Sequence, residues 1–388
     1  MNFDFTEEQL ALGDSLRRYL RNEYGFEQRQ RHARSELGYS EAAWRTYAEM
    51  GLLAVAFPEE VGGLGGGMVD VMGVMQALGS SLALEPFVST VVLCGSLIDA
   101  AGSAQQRREL LALIGAGELK IALAHFEPGR RYGVESVSTS AERHGDGFRL
   151  RGHKSVVLDA PSADTLIVSA RIQDRHHIQD AANGEGPVAL FLVNPKSPGV
   201  TVRPYVTHDG ARAADVFLDQ VEVPAAARLG PQADADAASA LHHALDLANI
   251  ALCCEAVGIM AALNANTLDY VKTRKQFGVP IGSFQVIQHR LADMIVAKEQ
   301  ADAITTLAAA RAADAEPAER SRLASAAKAL VCQQARFVGQ QAVQLHGGMG
   351  LAYEYSTGHY FKRLTTIGLT FGDADTHLAR FSATLLDA

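Results

Sequence analysis

The stretch that decides the fold is Gln344-Leu-His-Gly-Gly-Met-Gly350, which closes a long alanine-rich segment that begins at Pro317. Apolar residues recur at three- and four-residue steps along this segment, as they do in the helices of a buried bundle. The glycines that follow break this pattern, because glycine opposes the continuation of a helix. The sequence predicts a long helix over Pro317–Leu345 that ends in a glycine-rich turn.

Two earlier segments have the same helical periodicity. They cover roughly Ser239–Lys275 and Phe284–Asp314, and both are rich in alanine and leucine. Such a distribution of apolar residues is typical of helices that are buried against one another. We therefore predict a C-terminal four-helix bundle over residues 230–388.

Residues 119–229 have a different pattern. Short apolar runs are separated by Gly, Pro, Asn and Asp at the intervals expected of a compact β domain. His144-Gly-Asp-Gly147 is a hairpin turn between two such runs. We predict a middle β-barrel or sandwich domain over 119–229, whose strands include Ser155–Leu158, Thr165–Ala170, Val188–Val193 and Val216–Val223.

Helix signals fill the first part of the chain. Thr6 and Gln9 form a capping-box pattern, which satisfies backbone N–H groups at the start of a helix. Helical patterns continue to about Gly117, interrupted by Gly62–Gly67. That stretch lacks the Lys-Ser/Thr ending and the preceding strand of a phosphate loop, so we interpret it as a surface loop. The predicted fold is an α+β multidomain protein with an N-terminal helical domain over residues 1–118.

Composition limits the function and the location. The 388-residue chain has a net charge of −9, which argues against a general nucleic-acid binder. Its four cysteines lack metal-ligand spacing, and the adjacent His176 and His177 stand in a polar stretch, so no metal site is predicted. The N-terminus lacks the pattern of a signal peptide, and no uninterrupted apolar run has transmembrane length. We expect a cytoplasmic protein that does not contact a membrane.

A second motif lies at the end of the first bundle helix. Arg274-Lys-Gln-Phe-Gly278 precedes Phe284 and Gln285, at the predicted turn into the next helix. Arginine offers forked donors to a phosphate, phenylalanine a face for stacking, and glutamine hydrogen bonds to a heterocycle. Taken alone, a helix C-terminus complemented by cations is the better explanation of this motif.

Together the two motifs resemble the acyl-CoA dehydrogenase family. The resemblance implies that the first motif holds the FAD of the neighbouring subunit, and that the second lets the backbone approach the adenosine diphosphate part of FAD. Landmarks such as Glu127-Pro-Gly129 and Gly152-His-Lys154 extend the similarity over the whole chain. It is greatest to the small subunits of pimeloyl-CoA-type dehydrogenases. The residues that match the FAD-binding positions are Arg274, Phe277, Gln285, Gln344, Gly347 and Gly348.

The resemblance implies a definite reaction. A carboxylate removes the α-proton of an acyl thioester while a hydride leaves the β-carbon for flavin N5, and the product is a trans-2-enoyl-CoA. The thioester oxygen must be held by oriented donors in a dry site, and the base needs a raised pKa. The implied partners are an acyl-CoA substrate, electron-transferring flavoprotein as electron acceptor, and further subunits in a homotetramer or a heteromer.

The chain departs from the family pattern at the reactive end of the site. Val156-Val157-Leu158 stands where the family has a tryptophan and a threonine beside the flavin. Phe371-Gly-Asp-Ala-Asp375 stands where the family has Tyr-Glu-Gly-Thr, so Gly372 occupies the place of the catalytic glutamate. Some members carry their base on the first bundle helix, but the corresponding residues here, about Ala248 and Asn249, cannot serve.

Three carboxylates are candidates to replace the missing base. Asp373 follows Gly372 directly, although its shorter side chain requires the loop to move inward. Asp375 is more typical of a cap on the following helix. Glu255 stands among apolar residues, where a structural partner explains it at least as well. We take Asp373 as the candidate base, and the alternative that this chain carries no base stays open.

Three functions are compatible with these observations. The first is an FAD-dependent acyl-CoA dehydrogenase that uses Asp373, with a dicarboxylyl-CoA as one candidate substrate because Arg130 and Arg131 would receive its carboxylate. Exposed loop arginines without a ligand are the better explanation of that pair. The second is a non-catalytic or half-site small subunit of a heteromeric acyl-CoA dehydrogenase. The third and weakest is a flavin-dependent oxygenase on the same fold.

Overall fold

A computed structural model describes residues 6–173, 186–230 and 237–386. Helices occupy the first part of the chain, strands the middle and helices the last part. The predicted α+β fold with this order of parts is therefore confirmed. His176 and His177 lie outside the described residues.

Six helices precede the first strand in the described chain. The capping box predicted at Thr6 is present, since Gln9 N donates to Thr6 Oγ1 and Thr6 N donates to Gln9 Oε1. A π-helical segment, Phe87–Cys94, leads directly into the fifth helix. The helices are α1 (Glu7–Glu23), α2 (Phe26–Arg34), α3 (Glu41–Glu49), α4 (Met68–Ser80), α5 (Gly95–Ala101) and α6 (Ala104–Gly115).

The middle of the chain forms one seven-stranded sheet, in the order β1-β4-β2-β3-β7-β6, with β5 beside β4. The predicted hairpin is present, since His144 pairs with Gly147 across a two-residue loop that begins with Gly145 at φ +55°. The strands are β1 (Ile121–Ala124), β2 (Ser140–His144), β3 (Gly147–Leu158), β4 (Thr165–Gln173), β5 (Val188–Val193), β6 (Val200–Val206) and β7 (Arg212–Pro224).

Five helices follow the sheet in the described chain. The three longest agree within a few residues with the three long helices that the sequence predicts. They are α7 (Ala238–Thr273), α8 (Gln285–Arg311), α9 (Pro317–His346), α10 (Ser356–Ile367) and α11 (Ala374–Leu386).

Contacts divide the chain into two compact units. The first contains residues 1–35, 67–84 and 249–388, and the second contains residues 36–66 and 85–248. Because each unit joins separate segments of the chain, this division does not follow the sequence from end to end. The domain limits predicted at 118/119 and 229/230 stay a prediction.

In the first unit, α4 packs on α7 through two glycines. A Cβ atom at Gly79 would lie 2.3 Å from Glu255 O, and a Cβ atom at Gly258 would lie 2.1 Å from Gln76 O. No side chain fits at these distances, so each helix presents a glycine to the backbone of the other. The reciprocal contact fixes the segment 67–84 on the C-terminal helices.

Helix α7 is long and apolar enough to cross a membrane by length and composition alone. However, 89% of its apolar window is buried inside the protein. A helix that is apolar on all sides is expected wherever other elements cover it completely. The character of α7 is therefore that of a core helix.

We expect Gly258→Ala to lower the free energy of unfolding by about 2 kcal/mol or more, because its new methyl group would overlap Gln76 O. The matched control is Gly73→Ala on α4, where a Cβ meets nothing within 4 Å. Alanine there should stabilise the helix by about 0.5–1 kcal/mol. Urea unfolding of both variants measures the difference, and a Gly258→Ala variant as stable as the wild type would contradict the close contact.

Candidate functional site

The chain forms a short hairpin between α7 and α8. Its strands are β8 (Lys275–Gln276) and β9 (Val279–Pro280), joined by Phe277 and Gly278. These two residues have φ +51° and +83°. Two consecutive left-handed residues form the tight turn for which Asn-Gly is the preferred sequence. The predicted helix–helix turn is thus a hairpin.

Phe277 is an unusual residue for this turn. A bulky residue in the left-handed region is strained, at a cost of roughly 1–3 kcal/mol. The residue is also 92% exposed, and it has an aromatic neighbour in Phe284, with ring centroids 6.2 Å apart. Strained residues of this kind cluster at ligand and interface sites. Phe277 is therefore a candidate contact for a ligand or for another chain.

The glycine-rich turn after α9 is open on its outer side. Gly347 has φ +61°, a value that favours glycine. Gly348 has no such φ, and a Cβ atom at either residue would meet nothing within 4 Å. Nothing in the described chain therefore explains the glycine at 348. A ligand or a second chain that approaches the backbone would explain it.

Tyr270 connects the two motifs. Its ring stacks on that of His346 with centroids 4.4 Å apart, and its hydroxyl donates to His346 O over 3.3 Å. Arg274 lies one helical turn after Tyr270, and Gly347 follows His346 directly. The two motifs that the sequence singles out are therefore adjacent in the first unit.

The polar side chains of both motifs are exposed. Arg274, Gln285 and Gln344 all face solvent, and the Arg274 guanidinium has no partner within the described residues. A guanidinium, two amides and an aromatic ring on one surface form a donor set suited to phosphate groups and a heterocycle. The FAD-binding roles of these residues stay a prediction.

Asp373 caps α11. Its Oδ1 accepts hydrogen bonds from Thr376 N at 2.8 Å and from Thr376 Oγ1 at 2.6 Å. The prediction that Asp375 caps this helix is wrong, because the helix already begins at Ala374 and Asp375 is an exposed residue of its first turn. One oxygen of this carboxylate is therefore committed to the helix N-terminus, and the role of Asp373 as a base stays a prediction.

Gly372 has no room for a side chain. It is buried, its φ is +126°, and a Cβ atom there would lie 2.4 Å from His377 Nε2. That nitrogen lies 3.2 Å from Phe371 O, to which it donates. Burial, and after it the charge of Lys328, lowers the pKa of His377 to about 4, so the imidazole is neutral at neutral pH. The turn is filled by a side chain of α11.

Glu255 has a structural partner. Its Oε1 lies 2.5 Å from Arg363 Nε, and its Oε2 lies 2.7 Å from Arg363 Nη2. This two-pronged ion pair uses both carboxylate oxygens, in the geometry that guanidinium groups prefer. The structural explanation of the buried glutamate is therefore confirmed.

In the second unit, Val156 occupies a strained position. A bulge separates Lys154 from Val157 in β3, and Val156 within it has φ +52° and is 55% exposed. Its backbone N donates to Asp215 Oδ1 over 3.3 Å. A β-branched residue in the left-handed region is a genuine outlier, and such strain makes Val156 a candidate functional residue. The side chain offered there is small and apolar.

A buried ion pair supports this strand. Lys154 Nζ lies 2.7 Å from Glu127 Oε1, and the same carboxylate accepts from the backbone N of Ser138 and Thr139. Burial alone would raise the pKa of Glu127, but Lys154 and these hydrogen-bonding residues outweigh it and lower the pKa to about 2. Burial lowers the pKa of Lys154 to about 8. Both groups are charged at neutral pH, and they tie the segment 127–139 to β3.

Arg130 and Arg131 are exposed loop residues, and Arg131 has φ +49°. Their role toward a substrate carboxylate stays a prediction. Within residues 6–173, 186–230 and 237–386, no group of three or more His, Cys, Asp or Glu side chains could hold a metal ion.

Family models match most of the chain. The acyl-CoA dehydrogenase N-terminal domain matches residues 6–118, the middle domain 122–221 and the C-terminal domain 238–386. The chain belongs to the acyl-CoA dehydrogenase family. This family consists of FAD-dependent oxidoreductases of acyl-CoA metabolism.

Several named members are similar over nearly their whole length. Acyl-CoA dehydrogenase FadE12 of Mycobacterium tuberculosis is 32% identical over 360 residues, which are 91% of this chain and 89% of that protein. Benzylmalonyl-CoA dehydrogenase of Aromatoleum aromaticum is 29% identical over 95% of this chain and 96% of its own length. A solved structure of a variant of the Tcur3481-Tcur3483 steroid ACAD has 30% identity and a TM-score of 0.86, with 98% of both chains covered. The ChsE4-ChsE5 complex from Mycobacterium tuberculosis has 26% identity and a TM-score of 0.88, with both chains covered completely.

We expect the Glu127–Lys154 pair to make the stability of this protein sensitive to acid. The folded-state pKa of Glu127, about 2, lies below its ordinary value of 4.5, so unfolding takes up a proton between these values. The contribution is complete above about pH 4.5 and is lost as the pH falls toward 2, by at most about 1.4 kcal/mol per pH unit.

Glu127→Gln should lower the free energy of unfolding by about 3 kcal/mol at pH 7, because Lys154 stays buried without a counter-charge. The difference in the free energy of unfolding between wild type and variant, measured by urea unfolding, should decrease as the pH falls from about 4.5 to about 2.5. Glu118→Gln, at an exposed residue, is the control and should show no gap. A gap for Glu127→Gln that does not change with pH would contradict the assignment.

Proposed function

We propose that this chain is a half-site subunit of a heteromeric acyl-CoA dehydrogenase, which contributes to the FAD site of a partner and carries no catalytic base. The observation that supports this most is the state of its carboxylates. Asp373 caps a helix and Glu255 is held by Arg363. Gly372 lies against His377 and has no space for a side chain.

The other end of the candidate site has the opposite character. Phe277, Arg274 and Gly348 are exposed and open, and nothing in the described chain accounts for the strained ring or for the glycine. These residues fit FAD bound from outside the chain. Arg274 would pair with the phosphates of FAD, and the ring of Phe277 would stack on FAD. The glycines would let the adenosine diphosphate part of FAD approach the backbone. FAD supplies the hydride acceptor when it is bound.

Two of the similar solved structures carry paired names, Tcur3481-Tcur3483 and ChsE4-ChsE5. By analogy we propose a second acyl-CoA dehydrogenase-like subunit as the partner, in place of a homotetramer. The assembly would act on an acyl-CoA in the cytoplasm and pass electrons to an electron-transferring flavoprotein. The companion would supply the base and the residues beside the flavin that this chain has replaced.

Co-expression tests the proposal. We expect the isolated chain to contain little FAD, and its complex with a companion that retains Tyr-Glu-Gly-Thr to contain about one FAD for each pair of chains. Anaerobic addition of acyl-CoA should bleach the flavin band of the complex, and Asp373→Ala should leave that bleaching unchanged. A homotetramer of this chain with one FAD per subunit, whose bleaching is abolished by Asp373→Ala, would refute the proposal in favour of a complete dehydrogenase.

Arg274→Ala in this chain should weaken FAD binding by the complex about 10- to 100-fold, since a charge-assisted hydrogen bond contributes about 1.5–3 kcal/mol. Lys275→Ala is the matched control, because it removes the same charge from the adjacent exposed residue. Titration of the flavin-free complex with FAD measures both. Equal effects of the two substitutions would indicate a general charge effect and not a contact of Arg274.

A further inference from the structure

A buried acceptor lies beside the open glycine turn. His346 ends α9 and is 2% exposed, and its Nε2 has no hydrogen-bond partner within the described part of the chain. Its Nδ1 lies 2.8 Å from Ala342 O. A carbonyl oxygen only accepts, so Nδ1 carries the proton and Nε2 has the free lone pair.

The ring is neutral under ordinary conditions, because burial lowers the pKa of His346. Protonation at Nε2 therefore does not remove the unsatisfied lone pair. A buried polar atom without a partner costs about 1–3 kcal/mol. Such an atom calls for a donor that the described residues do not supply.

The packing around His346 explains why an aromatic ring stands at this position. It does not explain why the ring has a nitrogen at its ε position. The ring stacks on Tyr270 and is tilted against Tyr355, with centroids 4.4 and 5.3 Å apart. A phenylalanine would make both contacts. The bond from Nδ1 to Ala342 O adds to a carbonyl that a regular helix already uses. The ε nitrogen is left without an internal purpose.

The surroundings indicate where the donor comes from. Gly347 and Gly348 follow His346 directly and face open space. Arg274 is a cation suited to phosphate. It lies one helical turn after Tyr270, on whose ring His346 stacks. A phosphate offers only acceptors and would not satisfy a lone pair. The adenosine part of a dinucleotide offers donors, namely the ribose hydroxyls and the adenine amino group.

We propose that His346 Nε2 accepts a hydrogen bond from a hydroxyl or amino group of the adenosine part of FAD, at the site formed with the partner subunit. The assignment rests on the proposed function. Arg274 would then donate hydrogen bonds to the phosphates, and His346 would accept one from the adenosine. The same surface would thus offer a donor to the phosphates and an acceptor to the adenosine.

Three substitutions distinguish the contributions of the two imidazole nitrogens to FAD binding. His346→Phe keeps a ring for Tyr270 and removes both nitrogens, His346→Asn places an amide near the δ position, and His346→Gln places one near the ε position. FAD binding to the flavin-free complex is measured for each, and urea unfolding is measured for each free chain. FMN, which lacks the adenosine part, is titrated as the control ligand.

We expect His346→Phe and His346→Asn to weaken FAD binding about 3- to 10-fold, the effect of one neutral hydrogen bond. His346→Gln should retain most of the affinity. FMN binding should not change, and the free His346→Phe chain should be at least as stable as the wild type, because it loses an unsatisfied acceptor.

Wild-type FAD affinity in all three variants would overturn the proposal. So would retention by His346→Asn instead of His346→Gln, an equal loss for FMN, or a loss of affinity that follows a loss of stability in the free chain. The proposed function fails by a different result, namely full FAD loading of the isolated wild-type chain, and the same variants would then be titrated in that homomer.

Discussion

The first compact unit depends on the close approach of α4 to α7. Glu255 is the residue on which this approach converges, because its backbone oxygen lies against Gly79 while its carboxylate is held by Arg363 of α10. One residue of α7 thus contacts a helix from early in the chain through its backbone and a helix from late in the chain through its side chain. A buried carboxylate with this double duty is structural, since freeing it would leave the Arg363 guanidinium without its counter-charge.

The same unit uses the turn before α11 for its own cohesion. Lys328, completely buried on α9, donates to Asn249 Oδ1 at 3.1 Å and to Thr370 O at 2.6 Å. His377 donates to the next carbonyl, that of Phe371, and Asp373 caps the helix that follows. Lys328 and His377 therefore hold two successive carbonyl groups of this turn, and Asp373 holds its junction with α11. These carbonyl groups and the Asp373 Oδ1 are engaged within the chain.

Local patterns predicted the elements that depend on nearby residues. The three long helices, the hairpin from His144 to Gly147 and the capping box at Thr6 follow from periodicity and from turn chemistry, and all are present. The sequence pattern assigns the cap of α11 to Asp375, but the cap is Asp373, because helix ends are fixed by geometry that periodicity resolves only to a few residues.

Features that depend on distant segments were not predicted. Glu127 and Lys154 belong to two separate sequence landmarks, and the sequence did not indicate that they pair. No sequence pattern near Gly79 or Gly258 indicates the glycine contact between α4 and α7. In the candidate site, residue types identified Arg274 and Gly348. The strain at Phe277 and the unpaired nitrogen of His346 are visible only in the three-dimensional structure. His346 stands in the quoted motif, and only its burial makes its chemistry informative.

The two kinds of unpaired group in this site differ in what they imply. The Arg274 guanidinium is exposed, and water satisfies its donors at no cost, so its lack of a partner is compatible with an ordinary surface. The His346 lone pair is buried, and the desolvation of an unsatisfied acceptor is not recovered until a donor arrives. The strained, exposed Phe277 adds a second energetic cost in the hairpin that follows α7. Under the proposed function, a donor from bound FAD would remove the cost at His346, whereas the turn at Gly372, which the His377 ring fills, offers a ligand no comparable gain.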